Sequence, residues 1–440
     1  MEGLQYWSGW LKASSRMSAD RSGGRSVEYS PHCIVVGAGI VGASCAWHLV
    51  RKGARVTLID SELPGQSTSF GNAGCICRAS VFPFSHPGAI WKVPGWLLDP
   101  HGPMRIRWSQ FLSSAPWLYR FWRAGSARRV DEIVSAQVKL MDKVIADYDE
   151  ILQASAGESL RKSVGGIMLY DSQQDFEADA WKYDLRERVG LPWQMLGREE
   201  LASMEPAVHL GQGVAVFEPE WQHLIDPGAA TQWIADDAIE RGVEWCKDRV
   251  KSVSARSGGV SVETESRGRF SADKLIIAGG VWSGGLISQL GYKVPLISKR
   301  GYHLMIEVPD IEINHPVMSI SRHALLTPMR EGLRVTGTAE FAGLDTEPDY
   351  RRANSLMQNA RHFAPGIGGE GVSKWMGQRP MMPDSLPVLG PVPGQENVLC
   401  AFGHGHYGLT QGPTTGRIIA SLVFGDDPGI DLSPFSISRF

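Results

Sequence analysis

The stretch that most constrains this chain is "CIVVGAGIVGASCAWHLVRKGARVTLID", from Cys33 to Asp60. Cys33–Val36 is a short apolar run of the kind that forms a buried parallel strand. Gly37, Gly39 and Gly42 follow in G-x-G-x-x-G spacing, with Ile40 and Val41 inside the turn. Ala43 to Lys52 reads as a helix and Arg55 to Ile59 as a second strand, closed by Asp60. The three glycines do different things. Gly37 permits the tight turn, Gly39 lets backbone N–H groups approach a pyrophosphate, and Gly42 lets the helix pack on the sheet. The helix N-terminus adds partial positive charge and free donors. Asp60 can accept from a ribose 2′-OH and would repel a 2′-phosphate, which argues against NADP. The unit therefore binds a dinucleotide, and because FAD and NAD share this fingerprint, the stretch leaves that choice open.

A chain of 440 residues can bury large cores and is expected to form two domains. Its net charge of −3 lacks the basic footprint of a nucleic-acid binder. No run is long and apolar enough to span a bilayer. Six cysteines are too sparse for a disulfide framework and point to a reducing, cytoplasmic setting. Cys75 and Cys77 form a C-x-C with no second pair or His cluster, so no metal site is expected and both read as packed or near-cofactor thiols. Residues 1–30 read as a flexible extension, Gly/Ser/Arg-rich toward its end and without a signal-peptide core. Met17 offers an alternative start.

Further along, "SELPGQSTSFGNAGCI" (61–76) is a Gly/Ser/Thr loop suited to wrapping a cofactor. A segment with Trp91, Trp96, Trp108, Trp117 and Trp122 follows, broken by proline and glycine. Arg129 to Ala154 has the apolar period of one long helix. Gly165–Tyr170 reads as a strand opening a second sheet, Pro227–Arg241 as a helix, and residues 249–283 as a β-meander ending in the strand Lys274–Ala278 and the turn Gly279-Gly280. "KRGYHLMIEV" and "LRVTGTAEF" are further strands, "GQRPMMPDSLPVLG" a Pro-rich loop, and the C-terminal part is strand, glycine loop and closing helix. Dinucleotide-type elements thus recur at 32–75, near 226–285 and near 397–424, with antiparallel character between them. A simple NAD dehydrogenase keeps its Rossmann unit contiguous.

Four more stretches carry a family likeness: "TSFGNAG" (68–74), "PLISKRGYHL" (295–304), "WMGQRPMMPDSLPVLG" (375–390) and "GHGHYGLTQGPTTGR" (403–417). Together with the fingerprint and "HPGAIWKVPGWLLDPHGP" (86–103), they resemble the D-amino acid oxidase/dehydrogenase family of FAD enzymes, which includes glycine and sarcosine oxidases. The likeness is greatest to the bacterial D-amino acid dehydrogenase branch and covers residues 32 to about 425. It implies an α/β plus α+β fold: a Rossmann-like, discontinuous FAD-binding domain with an inserted antiparallel-sheet substrate domain. The FAD part is expected at 31–85, 215–295 and 373–440, the substrate part at 86–214 and 296–372.

The resemblance implies non-covalent FAD, because sarcosine oxidase-like relatives use a cysteine in the region that here reads "GQRPMMPD". Besides the fingerprint and Asp60, the residues expected to hold FAD are Ser61, Ser67, Thr68, Ser69, Asn72, Ala73 and Gly74. Later in the chain come Val250, Gly279, Gly280 and Trp282, and the closing loop Gly403, His404, Gly405, His406, Tyr407, Gly408, Leu409 and Thr410. Gly403, Gly405 and Gly408 are read as letting N–H groups reach flavin O2. The implied reaction is hydride transfer from a substrate α-carbon to flavin N5, giving an imino acid and then a keto acid and ammonia. Arg379 is the first catalytic candidate, since a guanidinium fork matches a carboxylate and Gly377 and Pro380 suggest a constrained loop. Tyr302 is a second, through its hydroxyl. His406 is a third; several relatives carry Arg there, so this position departs from the pattern.

The dehydrogenase branch implies a quinone or similar electron acceptor, and the tryptophan-rich stretch is either packed helix or a patch for peripheral contact with the inner membrane. Competing readings are a D-proline or hydroxyproline dehydrogenase, an oxidase of glycine, sarcosine or another N-alkyl amine, and a flavin subunit of a larger oxidoreductase complex. The oligomeric state is left open.

Overall fold

The computed structural model describes residues 30–86, 104–106, 108–155 and 157–440, and of 104–106 and 108–113 the backbone alone. Expectations for residues 1–29, Trp91 and Trp96 fall outside the described residues, as does the side chain of Trp108.

The first sheet has six strands in the order Glu244–Lys247, Arg55–Asp60, His32–Val36, Lys274–Ile277, Gln395–Phe402 and Val388–Val392. The first five run parallel and the last is antiparallel. Val36 is in register with both Ile59 and Ile277, so the strands end at a common carboxyl edge. Open parallel sheets bind ligands at that edge. The central strands are buried on both faces, which is why they read as apolar runs without alternation.

The first helix spans Ile40–Arg51 and so begins three residues before the expected Ala43. Gly42 lies inside it, where an added Cβ would stand 1.7 Å from the Gly37 carbonyl oxygen. Trp47 is fully buried and donates to Asp237 on the helix Pro227–Glu240 at 2.6 Å. The closing helix, Gly408–Phe424, crosses the first helix at backbone contact: a Cβ on Gly412 would meet Ile40, and one on Gly416 the Ser44 carbonyl. The single helix expected over 129–154 is two, Ala127–Met141 and Val144–Ala154. Leu140, Met141, Val144 and Tyr148 are all buried, so the apolar face runs through the break and periodicity does not register it.

The second sheet has nine strands. Eight run in the order Gly369–Met381, Ile297–Pro309, Gly332–Phe341, Ala324–Met329, Val317–Ser319, Gly166–Tyr170, Val214–Glu218 and Gln194–Leu196. The ninth, Met104–Ile106, pairs with Gly332–Phe341. Two sequence expectations change here. Residues 215–218 and 373–381, placed on the FAD side, are strands of this sheet. Arg379 is on a strand and not in a Pro-rich loop. Gly369–Met381 is the edge strand, and an edge tolerates Pro380 because one side of its main chain has no ladder to serve. In addition, Tyr148, Ile151 and Leu152, expected on the substrate side, pack in the core of the first sheet.

Candidate active site

A cavity of 1180 Å³ runs from the carboxyl edge of the first sheet to the face of the second. Binding sites for small ligands are usually about 300–1,000 Å³, so this one has room for a large cofactor and a substrate together.

At the first-sheet end the wall is main chain. Gly37 has φ +107, and a Cβ there would stand 2.5 Å from the Ala278 oxygen, so the turn admits no side chain. Gly39, Ile40 and Val41 line the cavity at the helix N-terminus. The first N–H groups of a helix have no partner within it; that of Ile40 donates to Ser69 Oγ at 3.0 Å. Asp60 accepts from Ala38 N–H at 2.6 Å and from Glu62 N–H at 3.1 Å. A carboxylate has about four lone-pair sites, so capacity remains for a hydroxyl. Burial nevertheless raises the Asp60 pKa against the pull of these backbone donors.

The loop 67–74 is tied to the first helix through Ser69 and to the second sheet. Thr68 donates to the Gln378 carbonyl at 3.1 Å, and Arg334 donates to the carbonyls of Phe70 and Asn72. Asn72 caps the Gly74 N–H at 2.9 Å, and His303 Nδ1 lies 3.1 Å from the Gly71 carbonyl. Ser61, Ser67, Thr68, Ser69, Asn72 and Ala73 line the cavity, as do Val250, Gly279, Gly280 and Trp282. Gly42, Gly74 and Gly403 do not border it. Their place is in backbone packing: Gly74 at φ +81 and Gly403 at φ +84 turn the chain where a side chain would be strained.

The closing loop borders the cavity from His404 to Thr410. His404 faces away, with Nε2 3.0 Å from Thr415 Oγ1, and burial lowers its pKa to about 3. Gly405 N–H donates to the Pro380 carbonyl at 2.9 Å, so it is not offered to flavin O2 as the sequence suggested. The N-terminus of the helix Gly408–Phe424 does border the cavity, with its first donors and positive dipole end. Tyr407 donates to the Phe82 carbonyl at 3.0 Å. His406 Nδ1 is buried without a partner among the described residues. Burial, with Lys299 and Arg379 nearby, pulls its pKa well below the usual histidine range, so the ring is neutral.

At the second-sheet end the wall is side chains, sorted by strand alternation. Lys299, Gly301 and His303 stand opposite Arg379, Gly377 and Trp375 in register. Directly opposed residues share a face, and His303 stacks on Trp375 with ring centroids 5.0 Å apart. Lys299, Gly301, Gly377 and Arg379 all border the cavity. The Arg379 guanidinium lies over Gly301, where a Cβ would stand 2.0 Å from its Cζ. A side chain at 301 would displace it. Among the described residues its one hydrogen bond is a 3.5 Å contact to the Thr338 carbonyl. Burial lowers its pKa to about 10, which leaves it charged at neutral pH.

Tyr302 also borders the cavity, but its side chain leaves the sheet on the opposite face. Its ring packs with Leu304, Ile306, Ala353 and Leu356. Its hydroxyl donates to Glu340 at 2.6 Å and accepts from the Asp349 N–H at 3.0 Å. The expected contact of this hydroxyl with a substrate is therefore corrected: a two-residue side-chain period cannot put Tyr302 and Arg379 on one face of paired strands. The same period puts Lys299 there, a residue that motif reasoning passed over. Placing "GQRP" on a strand beside "SKRG" would have found it.

Cys75 and Cys77 also border the cavity, and burial pushes both thiols up, Cys75 to about 12. Among the described residues no group of three His, Cys, Asp or Glu side chains could hold a metal ion, and no helix is long and apolar enough to cross a membrane. Trp117 is buried against Phe121 and Phe341, whereas Trp122 on the same helix is 59% exposed.

Fold and site together define a protein with a dinucleotide-type cradle at one end of a large cavity and a buried arginine on the wall of the other. The family model for FAD dependent oxidoreductases (DAO) matches residues 32–422, and the chain belongs to that family. Its cofactor is thus FAD rather than NAD. It is 35% identical over 420 residues to a D-amino-acid oxidase of Bradyrhizobium diazoefficiens, covering 93% of this chain and 99% of that protein. It is 31% identical over 418 residues to a D-amino acid dehydrogenase of Paramagnetospirillum magneticum, covering 92% and 98%. Among solved structures, glycine oxidase from Geobacillus kaustophilus superposes with a TM-score of 0.74 at 21% identity, covering 93% of this chain and all of that one.

Proposed function

We propose that the protein catalyses FAD-dependent oxidative deamination of an amino acid, with a D-amino acid as the substrate and a quinone or similar small molecule as the electron acceptor. The observation that carries this reading is Arg379: a charged guanidinium on the cavity wall with no acidic partner among the described residues. A carboxylate is the group that completes it, through two charge-assisted hydrogen bonds. Non-covalently bound FAD supplies the acceptor for the hydride leaving the α-carbon.

Holding the carboxylate fixes the substrate against rotation, so the α-carbon presents one C–H bond along a defined direction. Phe84, Trp117, Phe121 and Phe341 border the same region and keep water from it. His406, neutral and with Nδ1 turned to no partner among the described residues, can accept a hydrogen bond from the substrate amine. The N-terminal turn of Gly408–Phe424 can stabilise negative charge that develops beside it on reduction. In this reading FAD lies along Gly37–Val41, Asp60, the loop 67–74, residues 279–282 and the closing loop, and the substrate lies against the nine-stranded sheet. The relatives support a D-amino acid by their names, one an oxidase and one a dehydrogenase. The exposed Tyr119 and Trp122 support a peripheral surface where a membrane acceptor could meet the enzyme.

The test is anaerobic reduction of the purified yellow protein by D- and L-amino acids, N-methyl amino acids and cyclic imino acids. Bleaching by D-amino acids, with rapid dye reduction and little peroxide in air, is expected. Bleaching only by glycine or N-alkyl amines with stoichiometric peroxide would replace this reading with the amine oxidase. No bleaching by any of them would remove it.

A further inference from the structure

Lys299 is a buried cation of the cavity wall, next to Arg379, that the reading above does not use. Its Cα stands directly opposite that of Arg379 on the neighbouring strand, so the two side chains leave the sheet on one face. The guanidinium is laid over Gly301, two residues along from Lys299, so the two cations do not converge on a single point. The Lys299 ammonium lies over the Phe84 ring, 4.4 Å from its centroid, and that ring packs against His406 at 4.3 Å. On the other side its strand neighbour is Phe341. Among the described residues no carboxylate contacts Lys299 or Arg379, and Lys299 is only 7% exposed. Among the described residues, the charged or titratable groups acting on it are Arg379 and His406.

We propose that Lys299 selects the substrate class: it receives the side-chain carboxylate of an acidic amino acid whose α-carboxylate is held by Arg379. The inference rests on the role given to Arg379 above. A neutral amino acid brings one carboxylate to two cations and turns its own ammonium toward the second. A dicarboxylic amino acid brings one anion for each, and an unpaired buried charge is costly. The aromatic surroundings strengthen the pairing by excluding water.

The protonation of Lys299 fits this arrangement. Burial, and then the Arg379 charge, push the Lys299 amine down to about 7. A carboxylate against it restores its proton. Preference for the acidic substrate is therefore full below pH 7 and falls as pH rises above it, as Lys299 in the free enzyme deprotonates. Arg379 stays charged and His406 stays neutral across that range, so neither contributes a limb.

The experiment compares glutamate with glutamine and aspartate with asparagine, both enantiomers, as reductants of the FAD-loaded enzyme between pH 6 and 9. In parallel, dissociation constants of glutarate and its monoamide are read from perturbation of the flavin spectrum, which needs no turnover. The acid is expected to be favoured over its amide by about tenfold or more at pH 6.5 in both readouts. The preference should shrink toward pH 9, vanish in Lys299→Met and persist in Lys299→Arg. Equal treatment of acid and amide by the wild-type protein overturns the proposal, whether or not either variant folds. So does a Lys299→Arg enzyme that loses turnover of neutral amino acids while glutarate binding is unchanged, since that marks a proton acceptor. If no amino acid reduces the flavin, the proposed function fails, and the glutarate pair still decides the role of Lys299.

Discussion

The two ends of the cavity are built from different materials. The first-sheet end is built chiefly of main chain: the glycine turn and helix N-terminus of Gly37–Val41 with the Asp60 carboxylate, and the loops that close over them. The second-sheet end is side chains on paired strands, with Lys299 and Arg379 brought together from 80 positions apart. A backbone cradle recognises what every dinucleotide has, a pyrophosphate and a ribose. A side-chain wall recognises what one substrate class has. On the proposed reading, the first end would hold the cofactor and the second would select the substrate.

Substitutions separate the two ends. The largest effect is expected from Gly42→Val, because its side chain would start 1.7 Å from the Gly37 oxygen. The purified protein should carry almost no FAD, seen as loss of flavin absorbance, and should melt earlier. Arg379→Met should keep its FAD and lose turnover. Two charge-assisted hydrogen bonds at ~1.5–3 kcal/mol each correspond to a fall of roughly 10²–10⁴ in kcat/KM. Gly301→Ala keeps the guanidinium and displaces it, since the new methyl would overlap Cζ. A misplacement of about 1 Å can cost roughly 10² in rate, so a fall of about 10–10² in kcat/KM with normal FAD content is expected. Tyr302→Phe sits one residue away on the opposite face. It removes the bond to Glu340 and should cost ~1–3 kcal/mol in denaturant unfolding, with kcat/KM changed by less than about threefold. If Tyr302→Phe instead matched Arg379→Met in turnover, the division of the sheet into a working and a structural face would be wrong.

The ends also differ in how far they can be read from the chain. The fingerprint is local: strand, turn, helix and acid lie within 28 residues, each fixed by its own short-range chemistry. The loop 67–74 and the closing helix are legible for the same reason, since glycines mark where the backbone must turn or pass closely. The second end depends on pairing. Arg379 stood out as a residue type, but "GQRP" reads as a loop until Gly369–Met381 is known to be an edge strand that tolerates its proline. That one assignment determines which neighbours share a face. Without it Tyr302 looks like an active-site hydroxyl and Lys299 goes unnoticed. The break between Met141 and Val144 was hidden differently, because the buried stripe continues across it. The commitment of Gly405 N–H to Pro380 is a tertiary contact that no local pattern encodes.

The most direct test of the role of Arg379 is anaerobic titration of the FAD-loaded wild-type and Arg379→Met proteins with an amino acid that bleaches the wild type. Rapid bleaching of the wild type is expected and, at equal flavin content, reduction of the variant slowed by at least about a hundredfold. Equal rates in the two proteins would contradict that role, because the substrate carboxylate would then be held somewhere other than the arginine on the cavity wall.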